Sequence, residues 1–315
     1  MKAVQCLFLF TCLACVRTLP AATVGDWSRQ IKEAVQAQRK GDLKQAEKLL
    51  LRALLVAEDF DADDPRAAYT RDYLGTLYQQ MGRPDDAIAV FAQALKGFDR
   101  ALGPHSEDAL SSAGRLADAY EAAGRWARSE PLRRRLLAEL TAQAAPDKAS
   151  LAQAESDLGL CLDAQKKWDE AMTLYADALE KRRDALGPDS PEVAETLSNQ
   201  GRVWLLRGDA DKAEALLRQA LAVDEKALGP GDAALADDLR RLATVLRKNR
   251  KGKEADADEA QASAIEAALS PEAAGPSPTP HTLPRPDREP AAAVSVSPSS
   301  DVLPSPGAAS PPAQP

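Results

Sequence analysis

Few residues of this sequence are of the types that carry out acid–base, nucleophilic or metal chemistry. The two histidines, His105 and His281, stand far apart in the chain and lack the spacing of a zinc-binding pair. The sequence contains no glycine-rich phosphate loop and no nucleophile elbow. Asp61, Asp63 and Asp64 are close together but fall in a predicted turn, where no pocket would shift their pKa values. The sequence therefore predicts a non-catalytic protein without cofactor or metal ion.

The four cysteines cannot form a disulfide framework within the body of the chain. Cys6, Cys12 and Cys15 fall within the first sixteen residues, which leaves Cys161 alone. Cys161 stands at an apolar position of a predicted helix, so we expect a small buried side chain rather than a reactive thiol.

Two clusters of basic residues are candidates for anion binding. For the first, in residues 125–135, we expect a solvated helix face paired with neighbouring acids. The second, in residues 240–253, is denser. Cations near a helix C-terminus are favourable in themselves, and this alone explains the cluster; an anion site there is the alternative. The formal net charge of the chain is −8, so no nucleic-acid partner is expected.

The N-terminal residues 1–22 have the layout of a signal peptide. Lys2 is followed by a short apolar stretch over residues 3–16 and by Ala21 and Ala22, after either of which cleavage is expected. The sequence thus predicts an exported protein, periplasmic or secreted, and no later segment approaches the length of a membrane span. A retained anchor, a lipoprotein attached through Cys15 and a cytoplasmic protein with an uncleaved leader are the alternatives.

The composition changes abruptly near the other end. Residues 270–315 hold 13 of the 22 prolines, and serine and alanine fill most of the gaps between them. A helix cannot propagate through so many prolines. We therefore predict a disordered tail, which serves as a spacer or, alternatively, as a proline-rich ligand.

Between the two ends, the sequence repeats. A small residue that opens the second helix of a predicted hairpin recurs at intervals of 41 residues once and 42 thereafter: Ala46, Ala87, Ser129, Ala171, Ala213, Ala255. Prolines that follow the second to fifth hairpins keep the same period: Pro104, Pro146, Pro188, Pro230. Two independent markers with one period predict stacked copies of a single helical hairpin.

Each copy carries the signals of two helices. In the fifth, Ser190 and Pro191 begin the first helix, and Gly208 marks the turn to the second. Gly229 ends the second helix. Seven residues before each turn stands a small side chain, which allows helices to approach closely: Ala34, Gly75, Ala117, Gly159, Gly201, Ala243.

This pattern resembles the tetratricopeptide repeat (TPR), in the 42-residue form that is typical of kinesin light chains. The resemblance rests on the small residue, on the bulky residue three later (Tyr78, for example) and on the alanine twelve later, and it covers residues 27–269. It implies an all-α protein, in which residues 23–269 form a right-handed α-solenoid of about six hairpins. It also implies a scaffold that binds a protein or an extended peptide in a concave groove.

In the family the first helix of each hairpin lines the groove. Carried over by position, the resemblance implies these groove residues: Tyr69, Asp72, Thr76, Gln79, Asp118, Glu121, Gln153, Ser156, Ser198, Asn199, Arg202, Arg240, Thr244, Arg247, Lys248. Their charges predict a groove that is acidic to neutral in its first half and basic at its C-terminal end, and hence a partner with the opposite gradient. Self-association is open as well. A lipid-anchored envelope component and a cytoplasmic adaptor are the alternative functions.

Overall fold

The computed structural model describes residues 23–269, so the predictions for the leader (1–22) and the tail (270–315) lie outside the described residues. Within that range the chain forms twelve α-helices and no β-strand. They are α1 (Val24–Arg39), α2 (Leu43–Glu58), α3 (Arg66–Gln80), α4 (Pro84–Ala101), α5 (Glu107–Ala122), α6 (Trp126–Thr141), α7 (Lys148–Ala164), α8 (Trp168–Leu186), α9 (Pro191–Leu206), α10 (Ala210–Leu228), α11 (Ala233–Lys248) and α12 (Gly252–Leu269). Each helix packs on the next along the chain, and the predicted solenoid of six hairpins is confirmed.

Six of the described helices begin at a residue whose side chain accepts a hydrogen bond from one of the first backbone N–H groups. Thr23 and Asp26 form a capping box at the start of α1. The side chain of Asp147 accepts a hydrogen bond from the backbone N–H of Ser150, and Asp209 does the same for Lys212. Local sequence therefore fixes where each of these helices starts.

The turn inside each hairpin places one residue in the left-handed region, where φ is positive. Four of these residues are glycines, which adopt it without strain: Gly41, Gly82, Gly124, Gly208. Lys166 and Arg250 take the same conformation in the fourth and sixth hairpins, at φ +63° and +61°. The turn geometry is thus kept even where the side chain disfavours it.

The small residues lie where the two helices of a hairpin approach most closely. A methyl group on Gly75 would lie 2.6 Å from Phe91 Cδ1, and one on Gly159 would lie 2.7 Å from Tyr175 Cε1. Both rings are fully buried. These contacts explain why glycine, rather than alanine, stands at these two positions.

Candidate partner-binding groove

Residues 42 apart occupy the same place in successive first helices, and we call such a set a column. One column runs Asp72, Gly114, Ser156, Ser198 and Arg240. Ser156 and Ser198 are buried, because the following hairpin covers them. Arg240 is exposed because no hairpin follows α12 within residues 23–269. This column therefore faces the next hairpin, and only its last member is open to solvent.

Several predicted groove residues join neighbouring hairpins. Asp72 forms an ion pair of 2.8 Å with Arg115 on α5, and burial raises the pKa of Asp72 while Arg115 opposes that rise. The hydroxyl of Tyr69 donates a hydrogen bond of 2.6 Å to Asp108 Oδ2. Both partners lie on the next first helix. In this half of the groove the acidic side chain of Asp72 is already occupied by the chain's own cation.

Arg133 on α6 is the centre of a cluster of four charged side chains. Its guanidinium lies 2.6 Å from Asp118, 2.8 Å from Glu121 and 3.1 Å from Asp157. The basic cluster of residues 125–135 was expected to be solvated, and Arg133 is instead buried. Arg134 keeps to the expectation, since it is exposed and pairs with Glu130 and Glu170.

The basic end of the groove is matched by acids of α12. Arg240 pairs with Glu266, and Arg247 pairs with Glu259 and with Asp256. These pairs join the two helices of the last hairpin. The positive charge expected at the C-terminal end of the groove is therefore neutralised by acids on the second helix of the last hairpin.

A cavity of about 260 Å³ opens between α9, α10 and α11. It brings together four of the predicted groove residues, Ser198, Asn199, Arg202 and Thr244. Three further lining residues were not among the predicted ones: Leu205, Leu217, Arg241. Arg241 stands in the same column as Asn199, so the 42-residue register was the signal that could have identified it.

The cavity carries two cations, each held by a buried carboxylate. The Arg202 side chain is 43 % exposed and lies 2.5 Å from Asp163, whose side chain is fully buried. The Arg241 side chain is 57 % exposed and lies 3.3 Å from Asp238. Burial raises the pKa of Asp163, and Arg202 opposes that rise. Both guanidinium groups thus keep N–H donors toward solvent while their positions are fixed.

The floor and rim of the cavity supply the other contacts that a peptide needs. Leu205 and Leu217 are apolar, and the half-buried Asn199 makes no side-chain hydrogen bond to any residue of 23–269. An amide side chain can both donate to and accept from a peptide backbone. The cavity can therefore hold an extended segment that carries an acidic side chain.

The remaining predicted residues lie outside this cavity. Gln153 accepts a hydrogen bond from the buried Arg182, and Thr76 donates one to the backbone carbonyl of Asp72. Gln79 and Lys248 are exposed, without a side-chain partner among the described residues. Four of the fifteen predicted residues thus line this cavity, and the other eleven do not.

Comparisons with known proteins identify the repeat. The sequence profile of the tetratricopeptide repeat family matches residues 32–100, 73–142 and 150–226. The chain belongs to the tetratricopeptide repeat family. A search of curated protein sequences finds no match.

Solved structures share the TPR fold. A Podosopora anserina protein with nearly identical TPR-like repeats of the kinesin light chain kind is 22% identical, with a TM-score of 0.56; the match covers 66% of this chain and 99% of that one. A variant of that protein gives 22% identity and a TM-score of 0.57, over 65% and 97% of the two chains. The apo form of RapI is 12% identical, with a TM-score of 0.54, over 78% and 98%.

No helix within residues 23–269 is long and apolar enough to cross a bilayer. No group of three or more histidine, cysteine, aspartate or glutamate side chains there is arranged to hold a metal ion.

Proposed function

We propose that this protein is a non-catalytic scaffold that binds an extended segment of another protein in the cavity between α9, α10 and α11. TPR proteins are in general scaffolds that bind proteins or peptides, and the fold is of this kind. The observation that carries the proposal is the pair of partly exposed arginines, Arg202 and Arg241, beside two leucines. Such a surface favours an acidic side chain flanked by apolar ones.

The test is affinity capture with the full chain and two matched variants. Asn199→Tyr fills the cavity without removing either arginine, whose loss would leave a buried carboxylate without its ion pair. Gln219→Tyr is the control, because it adds the same side chain to an exposed position of α10 outside the lining of the cavity. We expect a partner that the wild type and the control retain and that Asn199→Tyr loses. Retention by all three proteins would contradict the proposed site.

Charge reversal at Arg240 and Arg247, at the basic end that the sequence predicts for the groove, is a poorer test of partner binding than Asn199→Tyr. Each pairs with acids on α12, so Arg240→Glu and Arg247→Glu would place like charges across the last hairpin. A weaker complex would then not distinguish lost binding from a loosened α12.

We also propose that the scaffold is exported, on the evidence of the leader-like residues 1–22. The N-terminal sequence of the mature chain tests this. Cleavage after Ala21 or Ala22 supports export of a free protein, a fatty-acylated N-terminal Cys15 supports the lipid-anchored envelope component, and an intact N-terminus supports the cytoplasmic adaptor.

A further inference from the structure

The outer face of α2 combines exposed cations with exposed leucines. Lys44, Lys48, Leu51, Arg52 and Leu55 lie at spacings that place them on one side of the helix. Leu51 and Leu55 are 43% and 67% exposed. The buried side of the same helix is a separate apolar stripe, which packs into the first hairpin. We call these five residues the basic face of α2.

The three cations of the basic face have no partner in the chain. None of Lys44, Lys48 and Arg52 makes an ion pair or a side-chain hydrogen bond with any residue of 23–269. Other second helices carry at most one such cation each, for example Lys96 on α4 or Arg128 on α6, and their remaining cations are paired, as Arg134 is with Glu130 and Glu170. The charges of the basic face are thus available to an external anion.

The repeat register places an acid at the position of Lys44 in three of the other five second helices. They are Asp85, Asp169 and Asp211 in α4, α8 and α10, whereas α6 has Ala127 and α12 has Lys253. Those acids lie in the first helical turn, where the helix dipole favours negative charge. Lys44, like Lys253, replaces the favoured acid with a cation, and α2 is the one second helix of residues 23–269 that adds two further unpaired cations on the same face; such a departure from a local rule points to function.

The leucines are unusual in their columns too. The places of Leu51 in α4 and α8 are taken by Ala92 and Ala176, and the place of Leu55 in α4 is taken by Lys96. In α2, by contrast, both places carry a large apolar side chain, and neither of these side chains packs into the core. Leu51 and Leu55 are both exposed, and they lie beside the unpaired cations of the same helix face.

We propose that the basic face of α2 binds the surface of an anionic lipid bilayer. The cations would lie among the phosphate groups, and Leu51 and Leu55 would enter the boundary between headgroups and acyl chains. The leucines favour a bilayer over an acidic protein or nucleic acid, because a purely electrostatic partner gives them no apolar environment. The basic face lies on α2 and contributes no residue to the cavity between α9, α10 and α11, so the cavity stays free.

The test measures binding of the full chain to two kinds of vesicle. One contains equal parts of phosphatidylglycerol and phosphatidylcholine, and the other contains phosphatidylcholine alone. The ratio of the two affinities is the readout, because the apolar residues 3–16 would contribute to both vesicles alike. Each cation at an anionic surface is worth roughly fivefold in affinity, so reversal of three should reduce the preference by about 100-fold.

The variants separate this surface from the overall charge. The test variant is Lys44→Glu, Lys48→Glu and Arg52→Glu together. The matched control is Lys96→Glu, Arg128→Glu and Lys253→Glu, which changes the net charge equally at exposed cations without partners in residues 23–269. A second variant, Leu51→Ser with Leu55→Ser, leaves every charge in place.

We expect the triple variant to lose the preference for anionic vesicles and the control to keep it. We also expect the leucine variant to bind more weakly to anionic vesicles than the wild type does. Equal loss in the control would overturn the proposal, since net charge alone would then explain the binding. Unchanged binding by the leucine variant would also overturn it, because the surface would then serve an acidic macromolecule instead.

Discussion

Replacing Gly75 by alanine should destabilise the protein, although alanine is the better helix former. The added methyl would lie 2.6 Å from Phe91 Cδ1, in a fully buried contact between α3 and α4. Overpacking of this kind costs about 1–3 kcal/mol, and the higher helix propensity of alanine returns about 1 kcal/mol. We therefore expect a net loss of up to about 2 kcal/mol in the free energy of unfolding.

Gly114 provides the matched control on the next first helix. A methyl there would meet only Leu136 Cδ1, at 3.8 Å, which is an ordinary van der Waals contact. Gly114→Ala should therefore stabilise the protein, by up to about 1 kcal/mol. Urea denaturation followed by far-ultraviolet circular dichroism measures both variants against the wild type.

A second substitution identifies the cause. Phe91→Leu replaces the ring that the new methyl would contact with a smaller side chain. The loss of unfolding free energy caused by Phe91→Leu should therefore be smaller in the Gly75→Ala background than in the wild type, by about 1 kcal/mol. If Gly75→Ala is as stable as Gly114→Ala, or if the two substitutions at the Gly75 contact are additive, close packing is not the reason for the glycine.

Three further predictions concern single positions. Lys166→Gly should raise the unfolding free energy by about 1 kcal/mol, because φ is +63° there; an unchanged urea midpoint would contradict this. Arg182→Met should lower the unfolding free energy by about 3 kcal/mol, since Arg182 is 1% exposed and donates hydrogen bonds to the buried Thr196 hydroxyl, to Gln153 and to the backbone carbonyl of Glu192; a thermal midpoint near wild type would contradict this. Burial and a hydrogen bond with Asp238 raise the pKa of Asp224 to about 7. The folded state then binds the extra proton, so stability should fall from about pH 4 to 7, and Asp224→Asn should flatten that slope in urea titrations.

The repeat could be predicted from sequence because each signal is local. The small residues at Gly75 and Gly159 mark the close contacts that the structure contains, and Gly187 and Gly229 end α8 and α10 as expected. Spacing along one helix fixes which side is buried, and glycine fixes where the helix stops. The number of hairpins follows from the six recurrences of the pattern.

The pairing of charges could not be predicted in the same way. Arg115 meets Asp72, and Arg202 meets Asp163, across hairpins, so each pair depends on how far one hairpin is shifted along the next. Arg133 was expected on a solvated face and instead reaches inward. Spacing along the sequence does not contain the angle between hairpins, so neither these pairs nor the cavity between α9, α10 and α11 follows from it.

Photo-cross-linking in cells tests the central claim, that a partner occupies the cavity between α9, α10 and α11. A benzophenone amino acid replaces Lys248, which is exposed one turn of α11 beyond Thr244 and leaves the cavity itself unfilled, or Gln219, which is exposed on α10 outside the lining. We predict a covalent adduct with another polypeptide from position 248 and none from position 219. Adducts from position 219 alone would contradict the account.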